Sequence, residues 1–279
     1  MLNPDQRAQF ARDGYIVLPA FKSAHQIARL RQRAAQIVND FDPSQNRSIF
    51  TTRDQLAATD DYFLRSDNTI RCFFEEEAFD QQGQLRQDKS LSINKIGHAL
   101  HDLDPVFDNF SRDPKLAQVA RDLGLLKAQL WQSMYIFKQP GIGGEVGWHQ
   151  DASFFETDPI TVTTFWFALE DATLDNGCLW VQPGGHRGPM RERFVRNGDD
   201  IKMEKLDSTP WPDKTSALPL EAAAGSLVCF HGLLPHYSAP NRSSVSRHAY
   251  TLHATDASAA YSPQNWIQRD ASFPVRGFM

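Results

Sequence analysis

The chain has 279 residues, 41% of them hydrophobic and 23% charged, with 29 Lys+Arg against 34 Asp+Glu for a formal net charge of −5. That is an ordinary globular composition, and its mild acidity argues against a nucleic-acid binder or a polybasic membrane-surface protein, which depend on clustered cations. Length alone leaves one large or two small domains open, because all-β barrels run past about 200 residues as one unit.

Cys72, Cys178 and Cys229 form no C-x-x-C pair, and so odd and sparse a set fits a reducing compartment. The N-terminus lacks the apolar stretch of a signal peptide, no run approaches the roughly 18 apolar residues of a membrane span, and the C-terminal Gly277-Phe278-Met279 is not a peroxisomal address. The expectation is a cytoplasmic protein with no membrane partner.

In chain order, Pro4 to Asp13 reads as a helix stopped by Gly14, and Tyr15 to Leu18 as a strand. Ser23 and Gln26 form a capping box before a long amphipathic helix with Ile27, Leu30, Ala34, Ile37, Val38 and Phe41 on one face. Residues 42–61 are polar and aperiodic, a loop. Thr69 to Phe74 reads as a strand running into a solvated Glu75-Glu76-Glu77 turn, and Ser92 to Leu103 as a helix. Asp113-Pro114 caps a further helix that Gly124 stops.

From Lys127 the period shifts toward two. Leu130 to Phe137, Thr161 to Leu169, Cys178 to Val181, Leu227 to Phe230 and Ala249 to His253 are β-branched and aromatic runs separated by turn residues. The expected fold is mainly β: one barrel over about 126–279, clad by helices from about 1–125, together making a single domain over 1–279.

His149-Gln150-Asp151 is the tripeptide richest in chemistry. On an extended chain His149 and Asp151 point to one side and Gln150 to the other. A third ligand, His231 or His236, would complete two histidines and a carboxylate, the facial set that leaves positions on iron open for a cosubstrate and O2. His98 and His101, three apart without a carboxylate partner in sequence, show too few ligands for zinc. No G-x-S-x-G elbow, Walker loop or G-x-G-x-x-G fingerprint occurs, so hydrolase, NTPase and dehydrogenase readings lose support.

Around these residues lie long blocks: Ser92 to His101, Gln132 to Pro140, and Glu170 to Thr173 with Asn176 to Trp180. Through them nearly the whole chain resembles the phytanoyl-CoA dioxygenase family of Fe(II)- and 2-oxoglutarate-dependent oxygenases. The resemblance implies a double-stranded β-helix, or jelly-roll, core. It implies His149, Asp151 and His236 as metal ligands and catalytic centre, since Pro235-His236-Tyr237-Ser238 followed by Arg247 fits the family pattern, and it leaves His231 in a supporting place.

It further implies that Arg247, rather than Arg242, anchors the far carboxylate of 2-oxoglutarate, with Ser238 beside it and Lys95, Met134 and Trp166 lining the cosubstrate pocket. A guanidinium suits that task because it is planar, bidentate and always charged. Gly185 replaces the Ser usual before His186 in the family, which puts any hydrogen bond from that Ser in doubt.

The function so implied is a dioxygenase that uses Fe(II), 2-oxoglutarate and O2, hydroxylates a small molecule and releases succinate and CO2. Asp151 favours this over halogenation, whose enzymes in the family lack the carboxylate. The alternatives are a non-oxygenase metalloenzyme on the same barrel and a catalytically inert binding protein. A CoA ester would need a cationic patch, and only the dispersed Arg29, Arg31 and Arg33 offer one.

Overall fold

Helix α1 (Pro4–Asp13) ends at Gly14, whose φ of 80° suits a residue without a Cβ, and strand β1 (Tyr15–Leu18) follows. The computed structural model describes residues 1–52, 60–213 and 215–278. Helix α2 (Ala24–Asp40) starts on the Ser23–Gln26 box, in which each side chain accepts from the other residue's backbone N–H. Short α3 (Asp61–Leu64), β2 (Ile70–Phe74), β3 (Ile93–His98), α4 (Leu100–Leu103), α5 (Pro105–Ser111) and α6 (Pro114–Asp122) complete the first half.

The second half supplies β4 (Ala128–Ile136), β5 (Val146–His149), β6 (Thr157–Asp158), β7 (Thr163–Ala168), β8 (Leu179–Val181) and β9 (Glu192–Asn197). It continues with β10 (Asp200–Lys205), β11 (Leu218–Leu220), β12 (Leu227–His231), β13 (His236–Ser238), β14 (Ala249–Asp256) and β15 (Ala260–Tyr261). A seven-stranded antiparallel sheet, β1-β12-β7-β14-β4-β3-β2, faces a four-stranded one, β11-β8-β13-β5, as a jelly roll.

Period-two alternation decides what each face meets. On β7, Phe165 and Phe167 point outward and pack with Ile27, Leu30 and Ala34 of α2 and with Phe107 and Phe110 of α5. Thr164 and Trp166 point inward to the cavity between the sheets. On β14, Tyr250 and Leu252 go outward, Thr251 and His253 inward. Each fully buried Leu or Phe contributes about 1.5–3 kcal/mol, so the helices stabilise the sheet whose other face is given to polar groups.

Several expectations are corrected. Residues 92–103 are not one helix: Ile93–His98 is β3, buried throughout and paired with β2 and β4, and the helix is confined to Leu100–Leu103. A strand covered on both faces loses its alternation and cannot be told from a buried helix by period. The first half is thus less helical than expected, contributing β1, β2 and β3 to the large sheet. Residues 187–218 contain the β9–β10 hairpin, in which Glu192 opposes Lys205 and Arg193 opposes Glu204. Of the expected 42–61 loop, residues 53–59 lie outside the described residues. Among the described residues no helix is long and apolar enough to cross a membrane.

Candidate active site

His149 ends β5, His236 opens β13, and the two stand opposite each other in the pairing of these strands. Asp151 begins the tight turn after β5. One ligand atom from each lies within 4.8 Å of the others. Asp151 Oδ1 is 3.6 Å from Nε2 of each histidine. His149 Nδ1 is 2.8 Å from Gly147 O and His236 Nδ1 is 3.0 Å from Leu234 O. A carbonyl only accepts, so each Nδ1 carries the proton and each Nε2 presents its lone pair to the same point.

The protonation states agree with that geometry. Burial pushes the His236 imidazole down to about 4, helped by the field of His149. Burial resists ionisation of Asp151, yet the imidazoles of His236 and His253 hold its carboxyl well below the usual carboxylate range. A neutral His236 beside an ionised Asp151 is the state a metal requires. Asp151 Oδ2 points away, accepting from the Thr164 hydroxyl and lying 3.4 Å from His253 Nε2.

Arg247 is buried in the same cavity of about 190 Å³. Its Nε donates to Gly177 O at 3.2 Å, its Nη2 to Ser238 Oγ at 3.2 Å, and Trp166 lies 5.4 Å from the guanidinium carbon. Nη1 has no partner. Burial lowers its pKa to about 10, which leaves it charged at neutral pH. Ser238 donates its own proton to Gly177 O at 2.9 Å, so the hydroxyl fixes the arginine. Gly177 has a φ of 85°, and a Cβ there would lie 2.7 Å from Ala239 O and 2.8 Å from Lys138 Cε.

Lys95 comes from β3 and is buried, with Nζ 3.7 Å from Met134 Sδ and 3.0 Å from the centre of the Phe50 ring. Burial pulls its pKa to about 7, against the opposing field of Glu75. Lys95, Met134 and Trp166 all line the cavity with the histidines and Arg247.

Some neighbours escaped the sequence reading. Glu75, expected in a solvated turn, is buried and accepts from Asn94 Nδ2 at 2.7 Å and Gly144 N at 3.0 Å. Lys138 is buried beside the site and donates to the carbonyls of Gly144 and Ser238. Thr164 and His253 hold Asp151, and their inward position on alternating strands was the available signal. Gln150 points away from the metal cluster, donating to Pro189 O and Leu233 O. His231 lies outside the cluster, accepting from Leu233 N at 3.0 Å and facing the His186 ring at 5.4 Å. Arg242 is on the surface, paired with Glu77. His101 is not beside His98 as a metal pair; it bonds Ser133 and Leu130 O.

Comparison with known proteins bears on this site. A family model described as phytanoyl-CoA dioxygenase matches residues 10–249. The chain is 47% identical over 269 residues to the phytanoyl-CoA dioxygenase of Arabidopsis thaliana, covering 96% of this chain and 94% of that protein. It is 44% identical over 282 residues to phytanoyl-CoA dioxygenase domain-containing protein 1 of Bos taurus, covering 98% and 97%. Among solved structures, the non-heme alpha ketoglutarate dependent carbocyclase SnoK aligns with a TM-score of 0.68 at 17% identity over 98% of this chain and 96% of that one. EctD from S. alaskensis with 2-oxoglutarate and 5-hydroxyectoine aligns with a TM-score of 0.62 at 23% identity over 92% and 77%. Identities that low establish a shared jelly-roll fold, while the sequence relatives establish kinship: the chain belongs to the phytanoyl-CoA dioxygenase family.

Proposed function

We propose that the protein is an Fe(II)- and 2-oxoglutarate-dependent dioxygenase that hydroxylates a small organic molecule. The observation that carries this is the convergence, in one cavity, of three metal-ready donors and a buried guanidinium nitrogen without a partner among the described residues. His149 Nε2, Asp151 Oδ1 and His236 Nε2 would hold the metal on one side only. Arg247 Nη1 would take the far carboxylate of 2-oxoglutarate, since an unpaired buried cation is stabilised most by an anion with which it forms a charge-assisted hydrogen bond.

When bound, iron supplies O2 activation coupled to the oxidative decarboxylation of 2-oxoglutarate to succinate and CO2. The chain's part is positional. Carbonyls of Gly147 and Leu234 keep both imidazoles in the ligating tautomer, and Thr164 keeps Asp151 turned so that Oδ1 faces them. Ser238 and Gly177 O lock Arg247, Lys95 adds a second cation to the pocket, and Met134 and Trp166 exclude water beside it.

The test is succinate formation from 2-oxoglutarate by the purified protein with Fe(II) in air, with Asp151→Ala as comparison. Succinate lost in the variant is the expected result. No succinate and no O2 uptake from the unmodified protein would retire the oxygenase reading in favour of a different metalloenzyme or an inert binding protein.

A further inference from the structure

The walls of the cavity carry a second set of polar groups that the metal and cosubstrate do not use. Glu192, the first residue of β9, lines the cavity on the strand face that also carries Phe194, which packs on Phe154 at 5.8 Å. Among the described residues it has no hydrogen-bond or ion-pair partner, although it lies in the field of His149. Its neighbour Arg193, on the opposite face, bridges Glu156 and Glu204 at 2.7 and 2.8 Å. The contrast is between a carboxylate turned into the cavity and charges neutralised at the surface.

Two buried imidazoles repeat the pattern. His98 Nδ1 is 2.6 Å from Ser66 Oγ, and that hydroxyl gives its proton to Phe63 O at 2.6 Å. The imidazole therefore donates from Nδ1, and its Nε2, buried and without a partner, is a bare acceptor. Burial holds this ring neutral, well below the usual histidine range. His253 has Nε2 3.4 Å from Asp151 Oδ2, and among the described residues its Nδ1 is buried without a partner. Both residues line the same cavity as Glu192.

A buried acceptor left unpaired is costly. An unpaired carboxylate and a bare imidazole acceptor on one cavity wall complement a ligand that carries N–H donors and a positive charge. The surrounding surfaces suit the same ligand: Phe63 stacks on Trp266 at 4.8 Å, and aromatic faces attract cations. Arg247 is held by Ser238 and Gly177 O, so a polyanionic ester would set its phosphates against the Glu192 carboxylate.

We infer that the organic substrate is a small molecule bearing a protonated amine, with Glu192 as its counter-ion, His98 accepting from one of its donors, and its carbon skeleton lying on Phe63, Phe154 and Trp266. This rests on the oxygenase reading for which end of the cavity the cosubstrate occupies.

The experiment titrates the full-length protein, loaded with Mn(II) and 2-oxoglutarate without oxygen, with benzylamine and with its neutral counterpart benzyl alcohol, read by calorimetry. The amine is expected to bind at least about tenfold more tightly, and Glu192→Gln to bring it down to the alcohol. Equal affinities in the unmodified protein, no amine binding at millimolar concentration, or a preference that survives Glu192→Gln overturns the inference. The comparison of the two probes needs no variant, so a Glu192→Gln chain that fails to fold leaves the test intact. Repeating it without metal separates the two readings: an amine preference in a protein that makes no succinate keeps the subsite and removes the oxygenase.

Discussion

His149 and His236 face each other across the β5–β13 pair with ring centroids 4.0 Å apart, and each commits Nδ1 to a carbonyl two residues before it in the chain. The i−2 carbonyl is supplied by the local backbone, so the tautomer is set before any ligand arrives. Two neutral imidazoles this close repel less than two imidazolium ions, and Asp151 Oδ1 completes the set at 3.6 Å from both.

The hydroxyl of Thr164 is the group that turns Asp151. Thr164→Val keeps the shape of the side chain and removes its donor to Oδ2. Metal affinity is expected to fall about 10–100-fold with the fold intact, measured by competition of the protein with a chelator of known strength for Fe(II) or Mn(II). An unchanged affinity would mean that His253 alone orients the carboxylate.

Among the described residues the buried Arg247 has one guanidinium nitrogen, Nη1, without a partner, and no carboxylate pairs with it. Arg247→Met should therefore weaken 2-oxoglutarate binding by about tenfold or more while leaving the ligand-free melting temperature equal or higher, because the charge it deletes has no carboxylate partner in the fold. Binding calorimetry and thermal unfolding read the two halves separately. A large loss of ligand-free stability would assign the arginine to the scaffold.

Lys95 makes stability depend on pH. Its folded-state pKa is lowered to about 7 from 10.5 by burial. Between those values the unfolded chain holds a proton that the folded chain does not, so this group's cost is full below about pH 7 and fades as pH rises toward 10.5. Lys95→Met should raise the melting temperature most below pH 7 and progressively less above it. Binding of the 2-oxoglutarate dianion above pH 7 should take up a proton, visible as a dependence of the binding heat on the buffer's ionisation enthalpy. Loss of that dependence in Lys95→Met would identify the lysine as the group that titrates.

Gly177 carries the carbonyl that receives both Arg247 and Ser238, at a φ of 85°. Gly177→Ala adds a Cβ in close conflict with Ala239 O and strains the turn, a cost of about 1–3 kcal/mol. Urea unfolding should show that loss, and 2-oxoglutarate affinity should fall with it. A variant as stable as the parent would show that the turn can relax.

The His149-Gln150-Asp151 tripeptide was legible because i and i+2 on an extended chain share a side, and the outer core of Phe165, Phe167, Tyr250 and Leu252 was legible as period-two runs. Residues around Lys95 were misread as helical, because helices cover one face of β3 and the cavity wall lies on the other, which erases alternation. Glu75 was misread as solvated: three glutamates in a row describe a surface unless a distant Asn94 and the Gly144 amide come to meet the first of them.

By itself the sequence determined the helix caps and the His149–Asp151 pair, which depend on local chemistry and near-neighbour spacing, and through its resemblance to a family it implied the jelly-roll class and the other candidate residues of the site. Tertiary structure alone decided which histidine faces His149, which arginine lines the cavity, and that Glu192, His98 and His253 line the same one. Those relations join residues more than a hundred positions apart in places, and only the pairing of β3, β4, β14 and β7 and the closing of one sheet over the other bring them together.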